Sequence, residues 1–355
     1  MIMRTPFMVA ALAIVTSAAA EAQTRVAPCT TATAQCERWV ALGGGPARAM
    51  VYSSYELNKP NAAVTRALVL VHGTGRNADH YFETAMAAAF LAGALDNTVV
   101  ISPYFASDTD KVELNEILWP NRGDSWRSGG MATSHPALSS FDFMDEIVRQ
   151  LANKKHFPNL TKVVVAGHSA GGQFASRYGM ANRMHGNPGV AMSYVVANPS
   201  TYAWPTGVRP TTAGNADSVT ANREALGPNG MKVNADFTYA AFDVTKVPAY
   251  NQWPAGLEKR SGYTKDMTDD QLRKQLVERP TTYLFGQVDI LPLGGFDSSP
   301  VAMTQGPTRR ARGEAFVKFI SDSLGARPNA MIVSECGHND RCVYTTKEVL
   351  PVIFP

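Results

Sequence analysis

The sequence predicts an α/β protein built on a doubly wound, mostly parallel sheet. Three observations carry that expectation. Apolar, β-branched runs alternate with helical stretches along most of the chain, and several of these runs stop at a glycine. The composition, 45% hydrophobic and 18% charged over 355 residues, suits a globular chain with a sizeable core. Sheets of this kind carry helices on both faces and bind ligands at the carboxyl ends of their strands.

The chain opens with "MIMRTPFMVAALAIVTSAAAEAQ": a basic residue at Arg4, an apolar stretch from Pro6 to Val15, and small residues ending in Ala20-Glu21-Ala22. This is the layout of a signal peptide, here residues 1–22, with an A-x-A cleavage pattern. The apolar run is too short to anchor in a bilayer, and no later segment reaches about 18 apolar residues, so no stable membrane insertion is expected. The mature domain, 23–355, is therefore expected to be secreted or periplasmic.

A turn-rich or disordered stretch is expected to about Gly45, followed by a strand in "ARAMVYSSYEL". "RALVLVHG", residues 66–73, reads as a central strand. "ADHYFETAMAAAFLAGAL" reads as an alanine-rich helix opened by Asp79, and "NTVVISPYF" as the next strand. In "SSFDFMDEIVRQLANK" the residues Phe141, Met144, Val148 and Leu151 share one helical face, with Ser139 or Ser140 as the cap. "TKVVVAG" is a strand, the helix after it begins at residue 170, and "AMSYVVANPS" and "TTYLFG" are two further strands. "RRARGEAFVKFISDSLG" is a helix ending at Gly325, and "NAMIVSECGH" is the last strand. Between about 202 and 280 the alternation stops in a Pro-, Gly-, Asn- and Thr-rich segment with one helix near "TDDQLRKQLVE". An insertion there, after the sixth strand, should overhang the carboxyl edge as a lid or cap, unless it is a plain surface insertion.

In an oxidising compartment the four cysteines are expected to pair. Cys29 with Cys36 and Cys336 with Cys342 is the simplest of the three connectivities. Neither pair has zinc-finger spacing, so no metal is expected. The formal charge of +3 and the lack of a basic stripe give no nucleic-acid footprint.

The stretch "VVVAGHSAGG" poses the functional question, because a buried strand ends in a serine held between glycines. In a nucleophile elbow, Gly167 and Gly171 are needed for close packing and Ser169 sits strained at the tip. A serine nucleophile also needs a base, an acid to orient it and donors for the oxyanion. His338 follows the last strand in "SECGHND", and Asp289 follows "TTYLFG" in "FGQVD", with Asp297 as its rival in a Gly/Pro/Ser loop. The oxyanion donors are expected to be the backbone N–H of Ala170 and that of Thr74 in "VHGTGRN". His168 and His72 read as supports, the latter bracing the oxyanion loop. Trp126, in "GDSWRSGG", is the expected substrate contact, or else buried packing. The Cys336–Cys342 bridge would steady the loop that carries His338, and Cys29–Cys36 would staple the N-terminal segment.

Together, "LVLVHGTGRNADHYF", "VVVAGHSAGG", "YLFGQVD" and "CGHND" resemble the α/β-hydrolase superfamily of serine esterases, lipases and peptidases, from about residue 60 onward. "GDSWRSGG", "YNQWPAGLE" and "QGPTRRARG" resemble segments of secreted microbial hydrolases, and the exported, two-bridge plan is similar to bacterial poly(aspartic acid) hydrolases. The polyhydroxyalkanoate depolymerase pattern usually has Leu before the serine, where this chain has His168. The resemblance implies a serine hydrolase with no cofactor, acting on an ester or amide that is small or polymeric. Ester cleavage is favoured by its prevalence in the superfamily. The amide alternative draws some support from the arginines of "TRRARG", which could attract a polyanion, although an exposed helix start would also explain them. A noncatalytic binding protein on the same fold is the remaining alternative, and such proteins generally lose a triad member.

Overall fold

Apolar alternation within each strand places consecutive side chains on opposite sides of one sheet, and each side is then covered by helices. The computed structural model describes residues 26–123, 125–186, 189–211 and 237–355; the expected signal peptide lies outside them. The main sheet contains β1 (Glu37–Ala41), β2 (Arg48–Ser53), β3 (Arg66–Val71), β4 (Thr98–Pro103), β5 (Lys162–His168) and β6 (Ala191–Ala197). A small antiparallel pair, β7 (Val208–Thr211) and β8 (Thr238–Ala241), stands apart, and β9 (Thr281–Gly286) and β10 (Asn329–Val333) complete the sheet. Its order is β1-β2-β4-β3-β5-β6-β9-β10, antiparallel through β1, β2 and β4 and parallel from β4 onward.

The two faces divide the core cleanly. Ala67, Val69 and Val71 of β3 and Val163 and Val165 of β5 face one apolar cluster, while Leu68, Leu70, Val164 and Ala166 face the other. The first cluster is closed by α2 (Ser140–Leu151), α3 (Ala170–Ala181) and, further on, α6 (Arg309–Leu324); the second is closed by α1 (Ala78–Leu91). Phe141, Met144, Val148 and Leu151 are all fully buried, as their spacing in α2 requires. Ser139 caps α2 in a reciprocal capping box with Asp142. Asp79 does not cap α1: Asn77 holds that position, and Asp79 lies in the first turn, where the helix dipole favours a carboxylate.

The stretch before Gly45 is more ordered than its composition implies. Residues 37–41 form β1, in register with β2 through Trp39 opposite Met50, and the Arg48 guanidinium sits 4.0 Å over the Trp39 ring. The described part of the 202–280 segment adds β7, β8 and α4 (Asp269–Glu278). Trp204, Tyr263, Leu272 and Leu276 from this segment are buried in the first cluster.

One polar pin crosses that cluster. Asp145 of α2 accepts hydrogen bonds from Tyr178 of α3 at 2.8 Å and from Tyr263 at 2.7 Å. Burial outweighs these two donors and pushes its carboxyl up from 3.8 to about 6. The folded state thus holds the proton more tightly than the unfolded chain, so this contribution to stability is complete below about pH 4 and is lost as pH rises through 6. At about 1.4 kcal/mol per unit the loss is about 3 kcal/mol. In denaturant titrations at a series of pH values, wild type minus Asp145→Asn should fall by roughly that amount between pH 4 and 7.5; a flat difference would show that the pin does not titrate.

The turn between β5 and α3 is set by contact distance. A Cβ on Gly167 would lie 2.1 Å from the Gly171 carbonyl oxygen, and one on Gly171 would lie 2.1 Å from the Val71 carbonyl oxygen. Both obstacles are backbone, so only separation of α3 from the sheet could relieve them. Gly171→Ala should cost about 3 kcal/mol or more in chemical denaturation and take most of any turnover with it.

Candidate active site

Tight packing on either side leaves Ser169 at the tip of the turn with φ 59° and ψ −118°, strained for a residue with a side chain. Its Oγ lies 2.9 Å from Nε2 of His338, and Nδ1 of His338 lies 2.8 Å from Oδ2 of Asp289. An ionised carboxylate can only accept, so the ring proton belongs on Nδ1, and Nε2 is left to accept from the serine hydroxyl. The imidazole can take the Ser169 proton as the oxygen attacks a carbonyl, and the carboxylate can steady the resulting imidazolium. The three residues predicted from strand ends therefore stand in one hydrogen-bonded line.

Each is held by its own element. Asp289 sits just beyond β9, its N–H bonded to Gly286 and its side chain almost wholly buried. His338 follows β10 on a loop tied by the Cys336–Cys342 disulfide. Asn198, at the end of β6, fastens the same loop: its Nδ2 donates to the Gly337 carbonyl at 3.2 Å, and its Oδ1 accepts from the Gly286 N–H at 2.7 Å. The other pair, Cys29–Cys36, joins the segment leading into β1.

Thr74 and Ala170 border the same pocket as Ser169. Among the described residues, no backbone carbonyl accepts the N–H of either, which leaves both available to an oxyanion. His72 braces the Thr74 loop, with Nδ1 on the Gly73 carbonyl at 2.9 Å and Nε2 accepting from the Phe105 N–H at 3.2 Å. Burial lowers its pKa to about 4, so the ring stays neutral and keeps this donor and acceptor pattern. His168 is also buried, between Tyr81 at 3.1 Å and Asn198 at 3.4 Å, with its ring centroid 4.6 Å from that of His338. Burial first, and then the proximity of His338, lower its pKa well below the ordinary histidine value. The neutral His168 ring thus places no second charge beside His338.

Two expectations need correction, and the rival to Asp289 drops out. Trp126 is not a substrate contact: it is wholly buried, stacked 5.0 Å from Phe105 and edge-on to His72 at 4.9 Å, while its neighbours Ser125 and Arg127 reach the pocket. The arginines of "TRRARG" are neither an exposed helix start nor a polyanion surface, because Arg309, Arg310 and Arg312 are at most 4% exposed. Arg309 donates to Asp289 Oδ1 at 3.3 Å and to the Leu293 and Gly294 carbonyls at 2.9 Å each; Arg310 pairs with Glu314, and Arg312 bonds the Gly306, Ser200 and Asp297 carbonyls. Asp297 is not in the serine line: it borders the pocket and accepts from the Ser299 N–H. Sequence reasoning missed the roles of Arg309 and Asn198, whose signal is only that polar residues follow strands or open a helix.

The pocket over Ser169 has a volume of about 360 Å³ and is walled by the Thr74 loop, by Gln173 and Arg177 of α3, by Pro254 and Ala255, and by the loop before and including α5 (Pro300–Met303). The sequence model described as the alpha/beta hydrolase family matches residues 68–346, well over half the chain and all three residues of the line. The chain belongs to the alpha/beta hydrolase family. A search of the curated proteins gives no match. Among solved structures, this hydrolase is similar to poly(aspartic acid) hydrolase-1 from Sphingomonas sp. KT-1, with TM-score 0.58 and 18% identity over 90% of this chain and 98% of the other. It is also similar to LpqC, a poly(3-hydroxybutyrate) depolymerase from Bordetella parapertussis, with TM-score 0.56 and 18% identity over 87% and 89%. At such identity these likenesses show the shared hydrolase fold.

The hydrolase ties the loop that carries His338 with a short disulfide whose removal costs only about 2 kcal/mol in chain entropy. Replacing both Cys336 and Cys342 by Ser should therefore leave a folded protein, and kcat should fall more than KM rises as His338 loses its fixed position. Near-UV circular dichroism alongside ester kinetics would check this, and an unchanged kcat would make the bridge a staple only.

Proposed function

We propose that the protein is an exported serine hydrolase that cleaves carboxylic esters through an acyl-enzyme. The observation that carries this reading is the Ser169–His338–Asp289 line opening onto a pocket that Thr74 and Ala170 also border. Ser169 Oγ attacks the ester carbonyl while His338 Nε2 takes its proton. The Thr74 and Ala170 N–H groups receive the developing oxyanion, and the protonated imidazole then gives its proton to the departing alcohol. Water, deprotonated by the same imidazole, attacks the acyl-enzyme, and collapse returns Ser169 with release of the acid. No step calls on a cofactor.

Export is supported by the two bridged cysteine pairs, which suit an oxidising compartment, and among the described residues no helix is long and apolar enough to cross a membrane. The segment up to 280 contributes Pro254 and Ala255 to the pocket wall, which supports a part in shaping the acyl site. Amide cleavage with the same machinery is the second reading. It loses one support, because the arginines that could have drawn a polyanionic chain are buried.

Hydrolysis of p-nitrophenyl esters of several chain lengths, with poly(aspartate) in parallel, tests both. Ester turnover should fall by about 10⁴-fold or more in Ser169→Ala and by about 10⁴-fold in Asp289→Asn, where the base loses its correct tautomer. Turnover confined to poly(aspartate) would favour the amide reading, and turnover that survives Ser169→Ala would overturn the serine mechanism.

A further inference from the structure

The pocket wall carries a cation that has no counterion among the described residues. Arg127 borders the same space as Ser169, and its Nη2 donates to the Thr74 hydroxyl at 2.9 Å. Its Nε is buried with no acceptor, and among the described residues no carboxylate lies within ion-pair distance. The nearby Arg76 is already committed to Asp110 at 2.6 Å. Burial lowers the pKa of Arg127, Arg76 lowers it further, and Asp297 offsets part of this. Arg177 adds a second positive charge to the lining, although its guanidinium is bonded to the Pro254 carbonyl and the Thr201 hydroxyl. Asp297 is the sole carboxylate among the pocket-lining residues that are described.

A guanidinium partly withdrawn from water, with a neutral hydroxyl and the Trp126 ring at 5.4 Å as its partners among the described residues, is incompletely compensated, and an anionic ligand relieves that cost. Its position is also informative, since Arg127 holds the side chain of Thr74, the residue proposed above to supply an oxyanion donor. We propose that Arg127 is a specificity residue that binds a carboxylate on the acyl part of the substrate, so that the preferred substrates are derivatives of short dicarboxylic acids. The planar fork of a guanidinium matches a carboxylate in both geometry and charge. The hydroxyls of Ser125 and Thr201, which border the same pocket, supply further donors.

This inference rests on the serine-hydrolase reading, and the two can fail separately. Mono-p-nitrophenyl glutarate and adipate would be compared with the uncharged valerate and hexanoate for the wild type, Arg127→Gln and Arg127→Lys, with Ser169→Ala as the control for the mechanism itself. The wild type should favour the charged acyl groups in kcat/KM. Arg127→Gln should reduce the charged-to-neutral ratio by about 10- to 100-fold, mostly through KM, and Arg127→Lys should restore part of it. Raising the salt concentration should shrink the wild-type preference.

A parallel fall for charged and neutral esters in Arg127→Gln would overturn the proposal and make Arg127 a support of the oxyanion loop. A wild type that prefers neutral esters would overturn it with no substitution made, which keeps the test decisive if Arg127→Gln does not fold. Turnover that persists in Ser169→Ala would instead sink the hydrolase reading on which the subsite depends.

Discussion

The site depends on how closely one helix approaches the carboxyl ends of two strands. With no side chain at Gly167 or Gly171, the first turn of α3 lies against the backbone of β5 and β3. That approach holds Ser169 in its unusual backbone geometry, with its hydroxyl on His338, and leaves Ala170 and Thr74 lining one pocket. Strain at a single residue is stable here because the packing around it leaves no alternative. The requirement also propagates: Gly172 faces the Ala197 carbonyl and Gly73 faces the Tyr81 hydroxyl, both too near for a Cβ.

A second layer of constraint is polar. Beyond β9 several apolar residues, Val288, Leu291, Leu293 and Met303 among them, are left exposed, and the buried arginines at the start of α6 tie the segment down by hydrogen bonds. Arg309 joins the carboxylate of Asp289 to two carbonyls of the following loop, so Asp289 and one wall of the pocket share an anchor. A Cβ on Gly294, in that loop, would come within 3.3 Å of the His338 ring, so the same loop covers His338. Arg309 also keeps the Asp289 carboxylate from being an isolated buried group, which would be costly.

Much of this was legible before any coordinates. The apolar runs marked the strands, because a strand covered on both faces carries few polar residues, such as Thr98 and Ser102 in β4. Ser169, Asp289 and His338 could be chosen because each lies just past a strand, where a parallel sheet collects its loops. What stayed hidden depends on neighbours distant in sequence. β1 is short and partly polar, and it becomes a strand only through its pairing with β2. Arg309, Arg310 and Arg312 read as a charged surface because no local pattern distinguishes a solvated guanidinium from one that meets carbonyls of another loop. Trp126 was placed on the right loop and the wrong side of it, since direction within an irregular segment is not encoded by spacing. The Asp145 pin and the tie through Asn198 likewise join partners that only the finished packing brings together.

The topology also sets an order in which competence can arise. Ser169 and His338 are 169 residues apart, and Asp289 and His338 are 49 apart, yet all meet at the carboxyl edge of one sheet, beyond β5, β9 and β10. Parallel pairings between remote segments carry a large loop-closure cost and form late in folding. The turn that carries Ser169 can be complete as soon as β3, β5 and α3 pack, whereas His338 is in place only once β10 has docked on β9. A partly folded chain therefore holds a shaped serine without the imidazole it bonds, and the Ser169–His338 contact reports the arrival of the outermost strand.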